Sequence, residues 1–361
     1  MMRKTYKIEA LATSLGASFI GDGSYEVTHL VPPTHYKDKA GLVLAMEPAF
    51  LALVAEKEVQ AVVVREGAEL PPCVRAAIVV ARPRVAMARL NAFFEEKTIV
   101  PAGIHPSAVI EHGAIIGEDV AIGAMVYVGE GAHIGDGCIL HPQSYVGPHA
   151  VLGDDCELYS GVRIGARVRI GARAIIHFNA SIGADGFSFV TPEKGSVEMA
   201  KETGGLGDVS NVALLRIASL GAVELGDDVE VGANSSIDRG TIVSTRIGNG
   251  TKIDNQVQIG HNAEIGENCM LCGRSGVAGS VKIGNRVVLG GAAGVADHVT
   301  IGDDTVCMGM SGVAGDLPPR SLVGGVPAKP RKKMIEDMFN LRRVKSLARK
   351  VDELSKRVEQ I

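Results

Sequence analysis

The chain has 361 residues, a net charge of −4, 45 glycines, no tryptophan and only 4% aromatic residues. That length accommodates two domains, and the charge balance excludes a global basic field for nucleic acid. With 46% hydrophobic residues but few rings, the core is expected to be built from thin aliphatic layers rather than around large aromatics.

The first stretch, "MMRKTYKIEALATSLGASF", carries basic residues but no continuous apolar segment, so no signal peptide is read and a cytoplasmic location is expected. No run approaches the roughly 18 apolar residues of a membrane helix, so no integral membrane segment is expected. "KIEALATSLG" reads as a short amphipathic helix, "KAGLVLAM" and "VQAVVV" as strands, and "VAMARLNAFFEEK" as a second helix. Residues 1–98 are therefore expected to form a small α/β domain, with "IVPAGIHP" as the linker that follows.

From Ile104 an Ile, Val or Leu recurs at every sixth position through Ile182, giving fourteen hexapeptides. The phase is lost after Phe187 and returns at Leu225, Val231 and Ile237. It then slips by four residues and runs through twelve more units from Ile247 to Val313, where only Cys307 is not aliphatic. A period of six fits neither a helix nor a lone amphipathic strand; it is the signature of a parallel β-helix. Three hexapeptides close one triangular coil, and coils stack about 4.8 Å apart. The period leaves the hand of the coil open, although right-handed crossovers are the general rule. Residues 99–325 form this solenoid, and residues 326–361 a glycine-free charged helical extension. In that extension Val344, Leu347, Val351, Leu354, Val358 and Ile361 follow a 3-4 spacing that argues for oligomerisation. The six cysteines (73, 138, 156, 269, 272 and 307) are expected as free thiols. The Cys269–Cys272 pair has no second pair to complete a zinc site.

Within "KIDNQVQIGHN", the repeat points Ile253 and Ile259 inward and leaves Asp254 and His261 outside. Gly279 lies one full coil beyond His261, at the same slot, and His298 lies one position past the same slot two coils beyond. At about 3.3 Å per residue, the stretch from Asp254 to His261 separates them by about 10 Å around a corner. Any pairing between the two is therefore expected across a subunit interface.

The solenoid resembles the left-handed β-helix acyltransferases. "IGADGFSF", "GANSSIDRGT" and "IGNGTKIDNQVQIGHNAEIG" narrow the resemblance to the UDP-3-O-(3-hydroxyacyl)glucosamine N-acyltransferases of lipid A biosynthesis. It implies a mainly β fold, a left-handed parallel β-helix between an N-terminal α/β domain and a C-terminal helical tail. It also implies a homotrimer with sites between subunits, and transfer of a 3-hydroxyacyl chain from acyl carrier protein to the 2-amine of a UDP-acylglucosamine. No cofactor is implied beyond the acylated carrier protein. His261 falls on the family's catalytic base, Asp254 on its assisting aspartate, Gly279 on the oxyanion donor and His298 on a substrate-site histidine. Imidazole suits the role, because a base is best matched when its pKa lies near the working pH. Attack by the amine is expected to be direct, with no acyl-enzyme.

The slipped segment places Asp238 and Arg239 beside the cleft, where Arg239 could contact phosphate or serve a structural ion pair. At the nucleotide end the family's Asn-Pro-Lys-Tyr reads "EPAF" here, so Glu47 replaces the amide and Phe50 the tyrosine, while a leading aromatic is Leu44. Phe50 can still stack on a base; Glu47 supplies no amide donor. Gly312 stands where family members often carry a bulky residue that ends the acyl groove, which implies room for longer chains. The polar insert at 190–217 is expected as a mobile loop near the cleft. Arg331, Lys332, Lys333, Arg342, Arg343, Lys345, Arg349 and Lys350 form a basic tail suited either to steering an acidic carrier protein or to plain solvation. Two other functions fit the solenoid, a sugar-nucleotide N-acetyltransferase using acetyl-CoA and a non-catalytic scaffold. A metal enzyme on this fold would need a third convergent histidine.

Overall fold

A computed structural model of the chain describes residues 4–96, 99–209, 213–325 and 331–358. The chain divides into two units, residues 1–99 and 100–361, and the C-terminal helix belongs to the second. In the first unit, a five-stranded sheet runs Ser18–Gly21, Ala76–Val80, Ala61–Arg65, Gly41–Leu44 and His29–Val31 in spatial order. Only the Ser18–Gly21 edge is antiparallel. "AVVV" is buried on both faces, as a central parallel strand requires. Ala61 and Val63 pack with the helices Ile8–Leu15 and Pro83–Phe94, and Val62 and Val64 with Val54 of the helix Leu51–Glu56. The first helix buries Ile8, Leu11, Ala12 and Leu15, a 3-4 stripe, and stops at Gly16 in the left-handed conformation.

The second unit is a left-handed parallel β-helix with three faces of 11, 10 and 9 strands. The first face begins at Gly103–Ile104, the second at Val109–Ile110 and the third at Ile115–Ile116. In the uninterrupted coils each residue pairs with its counterpart three hexapeptides on, as in Ile259↔Val277 and Val277↔Val295. The inward aliphatics stack into one continuous core from Val120 to Val313. Each fully buried aliphatic contributes about 1.5–3 kcal/mol, shared only with neighbouring coils. The hand is the opposite of the general crossover rule. That rule derives from twisted strands feeding crossover helices. Here most strands are two residues long and the corners are single left-handed residues such as Gln143, Asn262, Ser280 and His298.

The phase slip is a local feature. The strand Ser236–Arg239 continues past its inward Ile237, residues 240–244 bulge outward, and the ladder resumes at Thr245–Ile247. Against it, Ser181–Asp185 carries a register shift between Ile182 and Ala184. The insert, expected as a mobile loop, is built otherwise. Phe189–Val190 pairs antiparallel with Leu215–Arg216, and Ser196–Thr203 is a helix whose Glu198 accepts from the Gly195 N–H at 3.2 Å. The terminal helix spans Arg331–Val358 and leaves Val344, Leu347, Val351, Leu354 and Val358 exposed. Ile361 and the side chains of Arg331 and Lys332 lie outside the described residues. Lys333 pairs with Asp337 at 3.1 Å. Among the described residues no helix is long and apolar enough to cross a membrane.

Candidate active site

His261 follows the strand Gln258–Ile259 at the corner where the second face passes into the third. Its ring is held between two glycines. A Cβ on Gly279 would lie 2.8 Å from both Cε1 and Nε2, and one on Gly186 would lie 2.7 Å from the His261 Cβ and 3.0 Å from Cδ2. The "GADGF" interruption and the next coil thus close on the imidazole from two sides, and neither position admits a side chain without moving it. Nδ1 lies 3.0 Å from Asn262 Oδ1 and 3.5 Å from Thr241 Oγ1, while Nε2 has no protein hydrogen-bond partner among the described residues. Asn262, Gly186 and Thr241 fall inside the motifs "IGNGTKIDNQVQIGHNAEIG", "IGADGFSF" and "GANSSIDRGT", but the sequence assigns none of the three a role of its own. Asn262 sits in a turn position that recurs in every coil, so periodicity gives it no distinction.

The Gly279 N–H donates to no protein acceptor among the described residues, whereas its neighbours Ala278 and Ser280 donate to Val295 and His261 carbonyls. His298 occupies the slot of Asn262 two coils on; its N–H donates to the Gly279 carbonyl at 3.2 Å and its side chain is exposed. Gly276, Gly294 and Gly312 stack in register on the second face, with nothing within 4 Å of an added Cβ at any of them. Three coils of bare backbone therefore run from the level of Gly279 past His298.

Asp254 stands at the other edge of the same face, after Lys252–Ile253. Oδ1 accepts the Asn255 N–H at 2.7 Å and Oδ2 the Gly273 N–H at 2.8 Å, and no bond joins it to His261 within the chain among the described residues. It lines a cavity of about 570 Å³ with His177, Phe178, Lys252 and Cys272. Asp238 is a buried carboxylate close enough to His261 to interact with it. Burial pushes its pKa up, opposed by hydrogen bonds from Gln258 and Ser236 and by His261. Arg239 makes no ion pair among the described residues. It donates to the Ala166 carbonyl at 2.6 Å, its Nε is buried without a partner, and desolvation together with Arg167 lowers its pKa.

The insert reaches this region through Lys201, which pairs with Asp297 at 2.8 Å and holds that carboxyl below its ordinary range. Lys201→Ala is expected to leave the fold intact but to hasten proteolytic cleavage in the helix Ser196–Thr203, by a few-fold at most, because an exposed pair contributes about 0.2–1 kcal/mol.

In the first unit, Glu47 is paired with Arg65 at 3.2 Å, so its charge is balanced locally. Phe50 is half-buried against the core around Val43 and Val62. Among the described residues no three His, Cys, Asp or Glu side chains converge as metal ligands.

A family model for the bacterial transferase hexapeptide (six repeats) matches residues 113–148, 131–166 and 244–279, and one for the hexapeptide repeat of succinyl-transferase matches 161–185. The chain is 49% identical over 278 residues to the UDP-3-O-acylglucosamine N-acyltransferase of Ruegeria pomeroyi, covering 76% of each chain. With the enzyme of the same name from Coxiella burnetii the identity is 31% over 276 residues, covering 76% of this chain and 75% of the relative. Among solved structures, an Arabidopsis UDP-N-acetylglucosamine acyltransferase superposes with a TM-score of 0.52 at 26% identity, over 62% of this chain and 71% of that one.

Proposed function

Since the chain belongs to the UDP-3-O-acylglucosamine N-acyltransferase family and is an acyltransferase, we propose that it moves a 3-hydroxyacyl chain from acyl carrier protein to the 2-amine of UDP-3-O-acylglucosamine in lipid A biosynthesis. The observation that carries the reading is the clasped His261 ring, whose Nε2, like the neighbouring Gly279 N–H, has no protein partner among the described residues. As the amine attacks the thioester carbon, Nε2 takes the amine proton. The developing oxyanion accepts from the Gly279 N–H, which meets it without reorganisation. Collapse of the tetrahedral intermediate breaks the C–S bond, and the imidazolium returns its proton to the departing thiolate. No protein nucleophile is required.

His298, at the mouth of the glycine-lined strip, contacts substrate, and the strip from Gly276 to Gly312 takes the acyl chain. Phe50 stacks on uracil, and the Glu47–Arg65 pair keeps net negative charge from the diphosphate. Arg239 and Asp238 shape the cleft from beneath. The working unit is a cytoplasmic homotrimer in which Asp254 of one subunit supports His261 of the next; their placement at opposite edges of one face supports this. Mixing the separately inactive Asp254→Ala and His261→Ala proteins, with subunit exchange, should then restore a measurable fraction of the activity. Mixtures as inactive as either parent would place Asp254 outside the shared site.

The direct test is N-acylation of UDP-3-O-acylglucosamine by a series of 3-hydroxyacyl carrier proteins, beside acetyl-CoA with a UDP-N-acetylglucosamine-type acceptor. Turnover only in the second pair would favour the acetyltransferase reading. In the same series Gly312→Met is expected to move the preferred donor to shorter chains, lowering kcat/KM for the longest accepted chain by at least about ten-fold, because each lost buried methylene removes roughly 0.8 kcal/mol. The open space around Gly312 lets the protein fold normally.

A further inference from the structure

We infer that Asn262 is a positioning residue that fixes which nitrogen of His261 carries the proton; this rests on His261 being the base proposed above. The amide's two ends are distinguished by their partners. One end faces the Thr241 backbone N–H at 3.0 Å, which only an oxygen can accept. The other faces the Val243 carbonyl at 3.2 Å, to which only the NH2 can donate. Oδ1 is therefore the atom 3.0 Å from His261 Nδ1, and an amide oxygen offers lone pairs only. The proton belongs on Nδ1, leaving the lone pair on Nε2, the atom that faces Gly279.

The clamp itself is held. Asn262 adopts the left-handed conformation, its N–H donates to Thr245 Oγ1 at 2.9 Å, and that fully buried hydroxyl donates to the Asp238 carbonyl at 2.7 Å. Gly240 is also required, since a Cβ there would come within 2.9 Å of Asn262 Nδ2. Thr241, Val243 and Thr245 all belong to the segment that breaks the hexapeptide phase or directly follow it. Ser280, at the slot of Asn262 one coil later, has no such loop beneath it.

An amide orients the ring without adding charge. A carboxylate in its place would still accept from Nδ1–H, but it would stabilise imidazolium and raise the histidine pKa by about 1–3 units. The titratable and charged groups on the elements packed near the ring are Asp238 on the neighbouring strand, Asp185 next to Gly186 in its ion pair with Arg216, and, on the corner two coils on, His298 and Asp297 paired with Lys201. All remain in an Asn262 variant, so a difference from the parent protein reads the amide alone.

The test combines long-range 1H–15N correlation spectra of histidine-labelled full-length protein, assigned with His261→Ala, and pH–rate profiles. Neutral His261 should appear as the Nδ1–H tautomer. Asn262→Asp should move the histidine titration, and with it the acid limb of kcat/KM, upward by about one unit or more. Asn262→Ala should give a tautomer mixture and lower kcat about ten-fold or more with KM within two-fold; circular dichroism and the melting transition establish that it is folded. An Nε2–H tautomer in the parent protein, an unmoved limb in Asn262→Asp, or parental kcat in folded Asn262→Ala would each overturn the inference. Activity retained by His261→Ala beside an intact Nδ1–H tautomer would instead overturn the base assignment and leave the clamp standing.

Discussion

Replacing His261 by alanine is expected to lower kcat by about 100- to 10,000-fold, the range for loss of a positioned general base. Stability should change little. The ring is half-buried and its hydrogen bonds among the described residues are to Asn262 and Thr241, while the inward Ile259 two residues earlier carries the packing. Steady-state N-acylation at saturating donor and acceptor, with thermal melting alongside, checks both parts. A loss confined to KM would mean that His261 binds substrate without moving a proton.

Gly279→Ala is expected to lower kcat by about 100-fold, nearly as much, by a different route. The new methyl would sit 2.8 Å from Cε1 and Nε2, inside contact distance. The imidazole is the movable partner, so it rotates away, loses Asn262 Oδ1 and takes its lone pair off the line of attack. Misplacement of a reacting group by about 1 Å costs on the order of 100-fold. The backbone of the coil need not shift, so melting should stay within a few degrees of the parent. A crystal structure of the variant with an unmoved ring and parental kcat would refute the steric argument. Together the two variants separate removal of the base from its displacement.

The architecture could be read almost coil by coil from the hexapeptide spacing, because each inward aliphatic recurs at a fixed interval and partners fall three hexapeptides apart. The positions of Asp254 and His261 outside the core followed from the same count. The clamp on His261 could not be read this way. It depends on where residues 240–244 go once the period fails, and no repeat rule describes a bulge. Arg239 was legible as a cation near the cleft but not as a donor to the Ala166 carbonyl, since a charged residue type does not disclose a backbone partner. The polar composition of the insert gives no sign of its paired strands, Phe189–Val190 and Leu215–Arg216, or of the helix Ser196–Thr203 that carries Lys201.

A solenoid is a lattice in one dimension, and every coil offers the same address at the same corner. Nothing in that symmetry selects one level for chemistry. The outward loop at 240–244 is a dislocation in the lattice, and it supplies the Thr241 N–H and Val243 carbonyl that define the neighbouring amide. A histidine transplanted to the next coil would keep its place on the surface and lose its orientation. On this fold the repeat sets the coordinates of the site, and the defect at 240–244 makes those coordinates unique.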